Sequence, residues 1–483
     1  MDNVKPPIAA DRGDDGERDQ WKDSPANPNN WSLYKKLYHT SICATYAFTI
    51  TFMSSIYSSG YRQVMQKYHV SSTVSLLGVS LFCLGLAFGP IVAAPLSETV
   101  GRLIIYRLSL PIAALFLVGA AVSDGLASVL VCRFFAGFFG SPALSVGGGT
   151  IADIWQPRYR NRVTAVFVMA PNLGPSLGPV IGGFVEEHKG WRWLEWVSVF
   201  LALLTYIWAV GMSETYKKAI LKKRDKSKVD LDANAGAESL HASDIVKAIK
   251  TWMFTTLGRP LEMQVTEPIV LFLSLYVALN FGILYNFFPA VPWSLSRTYG
   301  FGQGQSGLAF VGITIGCVLA TATSIGIDLA LQRKRKLTQE PRPNQVEDIL
   351  WPAILGSVGI PVGLFWFAWT VRPDVHWASP VCALIPFAWG NLCIFISAIS
   401  YLVNIYGPTF GASATAANAF ARYGFAAAFP LFAVQMYETL GTGKATSILG
   451  ACSVAMVPIP WVLYRWGPYI RSRSRRANYP GSS

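Results

Sequence analysis

Residues 133–155 read RFFAGFFGSPALSVGGGTIADIW, and after a short basic loop residues 163–185 read VTAVFVMAPNLGPSLGPVIGGFV. Each stretch is long and apolar enough to cross a bilayer as a helix. Neither is composed as a passive anchor, which would be mostly leucine and valine. An arginine heads the first, and Gly174-Pro175, Gly178-Pro179 and Gly182-Gly183 punctuate the second. Glycine lets helix backbones touch, proline bends them, and a charge inside the membrane is costly enough to signal a task. Together they point to a membrane protein that moves and handles a substrate.

The rest of the chain extends this reading. Apolar residues make up 52% of the sequence and charged residues 14%, against about 25% charged in soluble domains. Twelve helical spans are predicted, at 37–60, 74–94, 105–123, 126–153, 163–185, 192–213, 268–292, 306–331, 350–371, 377–402, 413–437 and 445–466. The short alternating strands of an outer-membrane barrel are absent. The expected fold is an all-α polytopic membrane protein with 12 transmembrane helices in two six-helix bundles. Residues 1–36 form an N-terminal tail, 37–213 the first bundle, 214–267 a central loop, 268–466 the second bundle and 467–483 a C-terminal tail. The tail 1–36 is polar and carries both signs of charge, unlike a cleaved signal peptide, so the first span is expected to direct insertion.

Lys and Arg crowd into the segments that share a side with the two termini, which predicts that both termini are cytoplasmic. The net charge of +13 is then a topology signal and not the footprint of nucleic acid. Contact of RKRK (333–336) or RSRSRR (471–476) with anionic lipid is secondary. The central loop holds KKAILKKRDKSK and a predicted surface helix at Ser243–Leu257, capped by Ser243 and apolar at Ile245, Ile249 and Trp252. Halving of the spans by such a loop marks transporters built from two bundles around one site. All seven cysteines fall in predicted spans without a CxxC and read as apolar fillers. No GxxxxGK[ST] and no HExxH is present, so neither ATP nor zinc chemistry is indicated.

Between spans two and three the chain reads APLSETVGRLIIYR (94–107). Glu98, Gly101 and Arg102 make an acidic–glycine–basic turn that can latch neighbouring helix ends. Gly174, Pro175, Gly178, Pro179, Gly182 and Gly183 repeat every four residues and align near one helix face. Asn280, Tyr285 and Asn286 in span seven, Asn391 in span ten and Asn418 in span eleven either wall a midplane pocket or bond helix to helix. Arg422 in span eleven either counters an anionic substrate, balances Glu438 or lies in an inner vestibule. Asp153 either pairs with Arg158, Arg160 or Arg162 or is an ordinary helix-end carboxylate. Glu195 is placed near the outer surface, within reach of water. The aromatic content of 13% suits a flat organic or amphipathic cation, and also the membrane interfaces.

These motifs resemble the major facilitator superfamily, and within it the fungal twelve-span drug:proton antiporter group. Pro95-Leu96-Ser97-Glu98 with Gly101-Arg102 is similar to the first signature, the run from Arg133 to the fourth-span signature, and LGPSLGPVIGG to the fifth-span antiporter motif. NPNNWSLYKK, GWRWLEW, PVGLFWFAWT and AFPLFAVQMYETLG add to the likeness. The resemblance implies proton coupling at Arg133 with Asp153, and a bend in span five that suits outward antiport. It also implies export of a drug, toxin, secondary metabolite or polyamine, driven by the proton gradient with no cofactor or metal. The expected protein is a monomer in the plasma or vacuolar membrane whose partners are a small-molecule substrate, protons and lipid. Uptake or facilitated diffusion of a nutrient, and a sensor that moves nothing, are the other readings. Span one lacks the acid that some bacterial relatives use. Asp153, Glu98, Glu195 and Glu438 are therefore the candidate proton carriers, and Arg133→Ala is expected to abolish efflux while leaving expression intact.

Overall fold

A computed structural model describes residues 21, 23–222, 258–338, 346–474 and 476–477. The helix expected at Ser243–Leu257 and the side chain of Glu98 lie outside what it describes. Among the described residues all regular structure is helical. The first half runs α1 (Leu33–Ile56), a 3-10 turn (Tyr57–Gly60), α2 (Tyr61–Tyr68), α3 (Ser72–Val100), α4 (Arg102–Val122), α5 (Leu126–Gly140), α6 (Pro142–Ile154), α7 (Pro157–Lys189) and α8 (Arg192–Ala209). The second runs α9 (Pro268–Tyr299), α10 (Gln303–Leu308), α11 (Val311–Thr338), α12 (Trp351–Thr370), α13 (Ala378–Met456) and α14 (Pro458–Arg473).

Local chemistry sets the ends. Ser32 and Ser71 cap α1 and α3, accepting from the backbone N–H groups of Lys35 and Val74, as short hydroxyl side chains do at helix starts. The span expected at 126–153 is two helices, because Pro142 has no N–H to continue α5 and instead opens α6. By contrast Pro171, Pro175 and Pro179 lie inside an unbroken α7, as prolines are tolerated within membrane helices. The long α13 is not straight. Its backbone leaves the helix at Gly407 (φ 58°) and Gly441 (φ 75°), angles open to glycine at little cost. The guanidinium of Arg422 lies 4.4 Å from the ring of Phe395, whereas a straight helix would hold them roughly 40 Å apart. The chain therefore doubles back at Gly407. A 2.8 Å hydrogen bond between Tyr437 and Thr446 spans the turn at Gly441.

Packing follows the order of the helices. In the first half α1 lies on α7, α3 on α5, and α4 on α5 and α8; in the second, α13 packs on α9, α11 and α12. The halves meet along a seam where α3 faces α13 and α7 faces α10 and α11. Both described chain ends lie at one end of the bundle: Asn29 donates to the Asp153 carbonyl at the close of α6, and Ser474 donates to Glu267 just before α9. On α8 the residues Leu194, Glu195, Ser198, Ala202 and Thr205 are buried, while Trp193, Phe200, Leu203, Leu204 and Ile207 face outward. A helix that shows its largest apolar side chains to the outside is made for lipid.

Nine segments among the described residues are long and apolar enough to cross a membrane. Neither α1 nor α8 is among the nine, and the segment 410–473 is taken as one although its backbone breaks at Gly441.

The glycine ridge of α7 fits directly onto α1. A Cβ on Gly174 would sit 2.6 Å from the Phe48 carbonyl oxygen, and one on Gly178 2.0 Å from Ser55 Oγ. Gly148 in α6 has nothing within 4 Å of that position. Gly178→Val should thus cost about 1–3 kcal/mol or more through overpacking, while Gly148→Ala should be neutral or slightly stabilising. Thermal unfolding of the purified variants checks this contrast, and equal melting temperatures for the two would contradict it.

Candidate functional site

At the centre of the first half is a buried ion pair. Arg133 on α5 and Glu195 on α8 are both fully shielded from solvent, with Nη1 of the arginine 2.6 Å from Oε1 of the glutamate. The other guanidinium hydrogens go to backbone: Nε donates to the Gly78 carbonyl on α3 at 2.8 Å, and Nη2 to the Met53 carbonyl on α1 at 3.0 Å. Met53 lies in the last turn of α1, where carbonyls have no helical donor and the helix dipole favours a cation. The guanidinium also stacks 4.3 Å from the ring centroid of Tyr57 and 5.1 Å from that of Phe82. One arginine thus ties α1, α3, α5 and α8 together. Among the described residues Glu195 Oε2 has no hydrogen-bond partner.

The pair stands one residue from the seam. Ser54, next to Met53, shares a 2.8 Å hydrogen bond with Tyr285 of α9. Around Tyr285 the second half holds the other predicted pocket residues. Asn391 donates to the Asn280 carbonyl, Asn286 to that of Phe429 and Asn418 to Ser274 Oγ, all at long range (3.4–3.5 Å). Both amide atoms of Asn280 and the amide oxygens of Asn286, Asn391 and Asn418 are buried without partners among the described residues. Arg422 is buried among Phe281, Phe395 and Tyr423.

The two ends of the seam are closed differently. At the end away from the termini contact is backbone to backbone: a Cβ on Gly183 would lie 2.5 Å from the Gln303 carbonyl oxygen, and one on Gly307 2.4 Å from that of Pro179. Glu187 accepts from the Gly304 amide at 3.2 Å, and Thr73 donates to the Leu431 carbonyl at 3.0 Å. At the terminal end long side chains do the joining. Arg162 of α7 pairs with Asp328 of α11 at 2.9 Å and donates to Gln332. Beside them opens a cleft lined by Asn161, Arg162, Asp328, Ser397, Ser400 and Asn404.

The turn after α3 is a latch of a different make-up. Gly101 (φ 99°) turns the chain, and Glu214 accepts from the N–H groups of Arg102 and Leu103 at 3.0 Å each, a carboxylate on a helix N-terminus. Arg102 donates to Ser97 Oγ at 2.8 Å and lies 3.4 Å from Asp153.

Comparison with known proteins agrees with this architecture. The sequence model of the Major Facilitator Superfamily matches residues 43–430. The chain belongs to the major facilitator superfamily. It is 38% identical to "Polyamine transporter 4" of Saccharomyces cerevisiae, over 94% of this chain and 72% of that one. It is 40% identical to "Efflux pump FUBT" of Fusarium oxysporum, over 88% and 72%, and 36% identical to "MFS-type transporter oryN" of Aspergillus oryzae, over 99% and 94%. The crystal structure of a POT family transporter in complex with a thioalcohol conjugated peptide superposes with a TM-score of 0.60 at 12% identity, covering 89% of this chain and 96% of that chain. That likeness shows a shared fold. The protein is a multi-pass membrane transporter and not an enzyme.

Within this major facilitator chain several sequence expectations need correction. Asp153 pairs with Arg102 and not with Arg158, Arg160 or Arg162; Arg160 donates to the Ala152 carbonyl and Arg162 crosses to Asp328. Glu195 is not near water: it and Arg133 neutralise each other in the core. The latch acid whose contacts are seen is Glu214. Arg422 does not balance Glu438, which is exposed near the far end of the same segment. Glu195 had a sequence signal, an acid flanked by RWL and WVSVF, but its position in the first turn of α8 gave it the look of a solvated helix end. Asp328, inside a predicted span, is a site residue that the sequence reading does not single out.

Removing one partner of a buried pair leaves an uncompensated charge and costs about 3–5 kcal/mol. Arg133→Ala should therefore lower the folded yield and melting temperature, contrary to the expectation of intact expression. Glu195→Gln, which keeps one acceptor, should cost less. Melting curves in detergent check the order; an Arg133→Ala protein as stable as wild type would contradict the geometry.

Proposed function

We propose that this transporter exports small organic compounds in exchange for protons entering down their gradient, by alternating access, with twelve spans, both termini cytoplasmic, as a monomer in the plasma membrane. The observation that carries the reading is the Arg133–Glu195 pair, with one carboxylate oxygen free of partners and a single residue between it and the seam. The efflux-pump name of the Fusarium relative supports export. The uneven ends of the seam support a rocking motion, since Arg162 and Asp328 can part without unpacking backbone.

The steps follow from the contacts. A proton taken up by Glu195 removes the charge that balances Arg133. The guanidinium, still charged and still out of water, must then seek other acceptors. Its hold on the Met53 carbonyl changes with it, and so does the setting of Ser54 against Tyr285. Proton and cargo thereby bias the same two-state equilibrium, which is the thermodynamic requirement for coupling. Asp153 and Glu214 fix Arg102 and the start of α4 within the first half, and the Arg162–Asp328 pair is the contact that parts at the terminal end.

Acidified inside-out vesicles loaded with a pH-sensitive dye test this reading when screened against a library of fungicides, polyamines and aromatic acids. Wild-type vesicles should release protons on addition of a transported compound. Glu195→Gln should reduce that release by about tenfold or more, the scale of a lost charge-assisted contact. Release by Glu195→Gln at the wild-type rate would defeat the assignment.

A further inference from the structure

Two arginines are buried on opposite sides of the seam, and the chain treats them differently. Arg133 sits against two aromatic rings and is given Glu195. Arg422, 8% exposed, sits against three rings: its guanidinium carbon is 4.4 Å from the centroid of Phe395, 4.5 Å from Tyr423 and 4.6 Å from Phe281. It has no carboxylate within ion-pair distance among the described residues, and its Nε has no hydrogen-bond partner. The described acids of the second half are engaged elsewhere or exposed: Glu262 with Arg476, Glu267 with Tyr406 and Ser474, Asp328 with Arg162, Glu347 with Arg471 and Asp374 with Arg372, while Asp348 lines the cleft beside Arg162 and Glu438 is in the open. Aromatic faces stabilise a cation only in part, and a buried guanidinium otherwise demands an anion.

A second observation lies beside the first. Asn280, 1% exposed, has neither amide atom partnered, and it precedes the ring residue Phe281. Asn391 and Asn418, each with an unpartnered amide oxygen, stand one helical turn before Phe395 and Arg422. Three rings thus line one guanidinium, and on α13 Asn391 and Asn418 share helix faces with Phe395 and Arg422.

We propose that the cargo is an organic anion, a carboxylate on a flat apolar body. The carboxylate docks on Arg422, the body lies against Phe281, Phe395 and Tyr423, and the free amides read its polar substituents. The same site disfavours a polyamine, because a polycation would meet Arg422 with no described acid beside it. The identification of the cargo rests on the transporter reading above, but its test needs no gradient.

Titration calorimetry on the full chain in lipid nanodiscs, with no proton gradient, provides that test. The probes are benzoate and indole-3-acetate, their neutral amides, and spermidine. The acids should bind about tenfold or more tightly than the amides, as expected for a charge-assisted contact, and spermidine should neither bind nor compete. Arg422→Gln should weaken the acids by about the same factor and leave the amides unchanged. Arg422→Lys, which keeps the charge and guards against loss of fold, should retain part of the preference. Equal binding of acid and amide, binding of spermidine, unchanged binding by Arg422→Gln, or no binding of either acid would each overturn the assignment. A failure of proton coupling would leave these results intact and show only in gradient-driven flux.

Discussion

A guanidinium taken out of water must be supplied with acceptors on every side, and meeting that demand organises the first half of this protein. Arg133 draws a carboxylate from α8 and carbonyls from α1 and α3. Hydrocarbon outside the bundle offers no alternative, so the four helices are held in one arrangement by a single side chain. The burial of Glu195 follows, as does the polar lining of α8 at Ser198 and Thr205 opposite its outward bulky residues. An ion pair is a weak source of stability compared with a well-packed apolar cluster of the same volume. Its place in the core of a transporter makes physical sense as a group whose charge can be switched.

Around that fixed point the packing divides into contacts that can part and contacts that cannot do so cheaply. The ridge of Gly174 and Gly178 presses α7 onto α1 at distances that admit no side chain. These two helices must move as one. The seam at the end away from the termini is joined by backbone at Gly183 and Gly307, and the terminal end by Arg162 and Asp328. Long side chains lose little when they swing apart into water. A rocking motion that opens the terminal end is therefore the less costly direction from this arrangement.

Much of this was legible in the sequence. The helical class, the superfamily and the importance of Arg133 and of the span-five glycines follow from composition, spacing and motif, because lipid burial and close helix contact each leave a local imprint. The partners were harder to see. Which acid meets Arg133 depends on how α5 and α8 cross, and nothing within either segment encodes it. The sequence places Glu195 near the outer surface and Asp153 beside the basic residues that follow it, whereas the partner of Asp153 is Arg102 across the bundle. Glu214 lies beyond the end of a predicted span, so a loop assignment hid its role on the N-terminus of α4. The turn at Gly407 was anticipated as a gap between spans; that a single glycine suffices follows only from its backbone angles.

The central claim is that the Glu195 carboxylate is the group that gains and loses the proton. Infrared difference spectroscopy of the protein in nanodiscs, recorded as the medium is acidified, tests it most directly. The account predicts a carbonyl band of a protonated carboxylic acid that grows on acidification in the wild type and is missing in Glu195→Gln. The same band persisting in Glu195→Gln, or a wild-type spectrum without one, would contradict it.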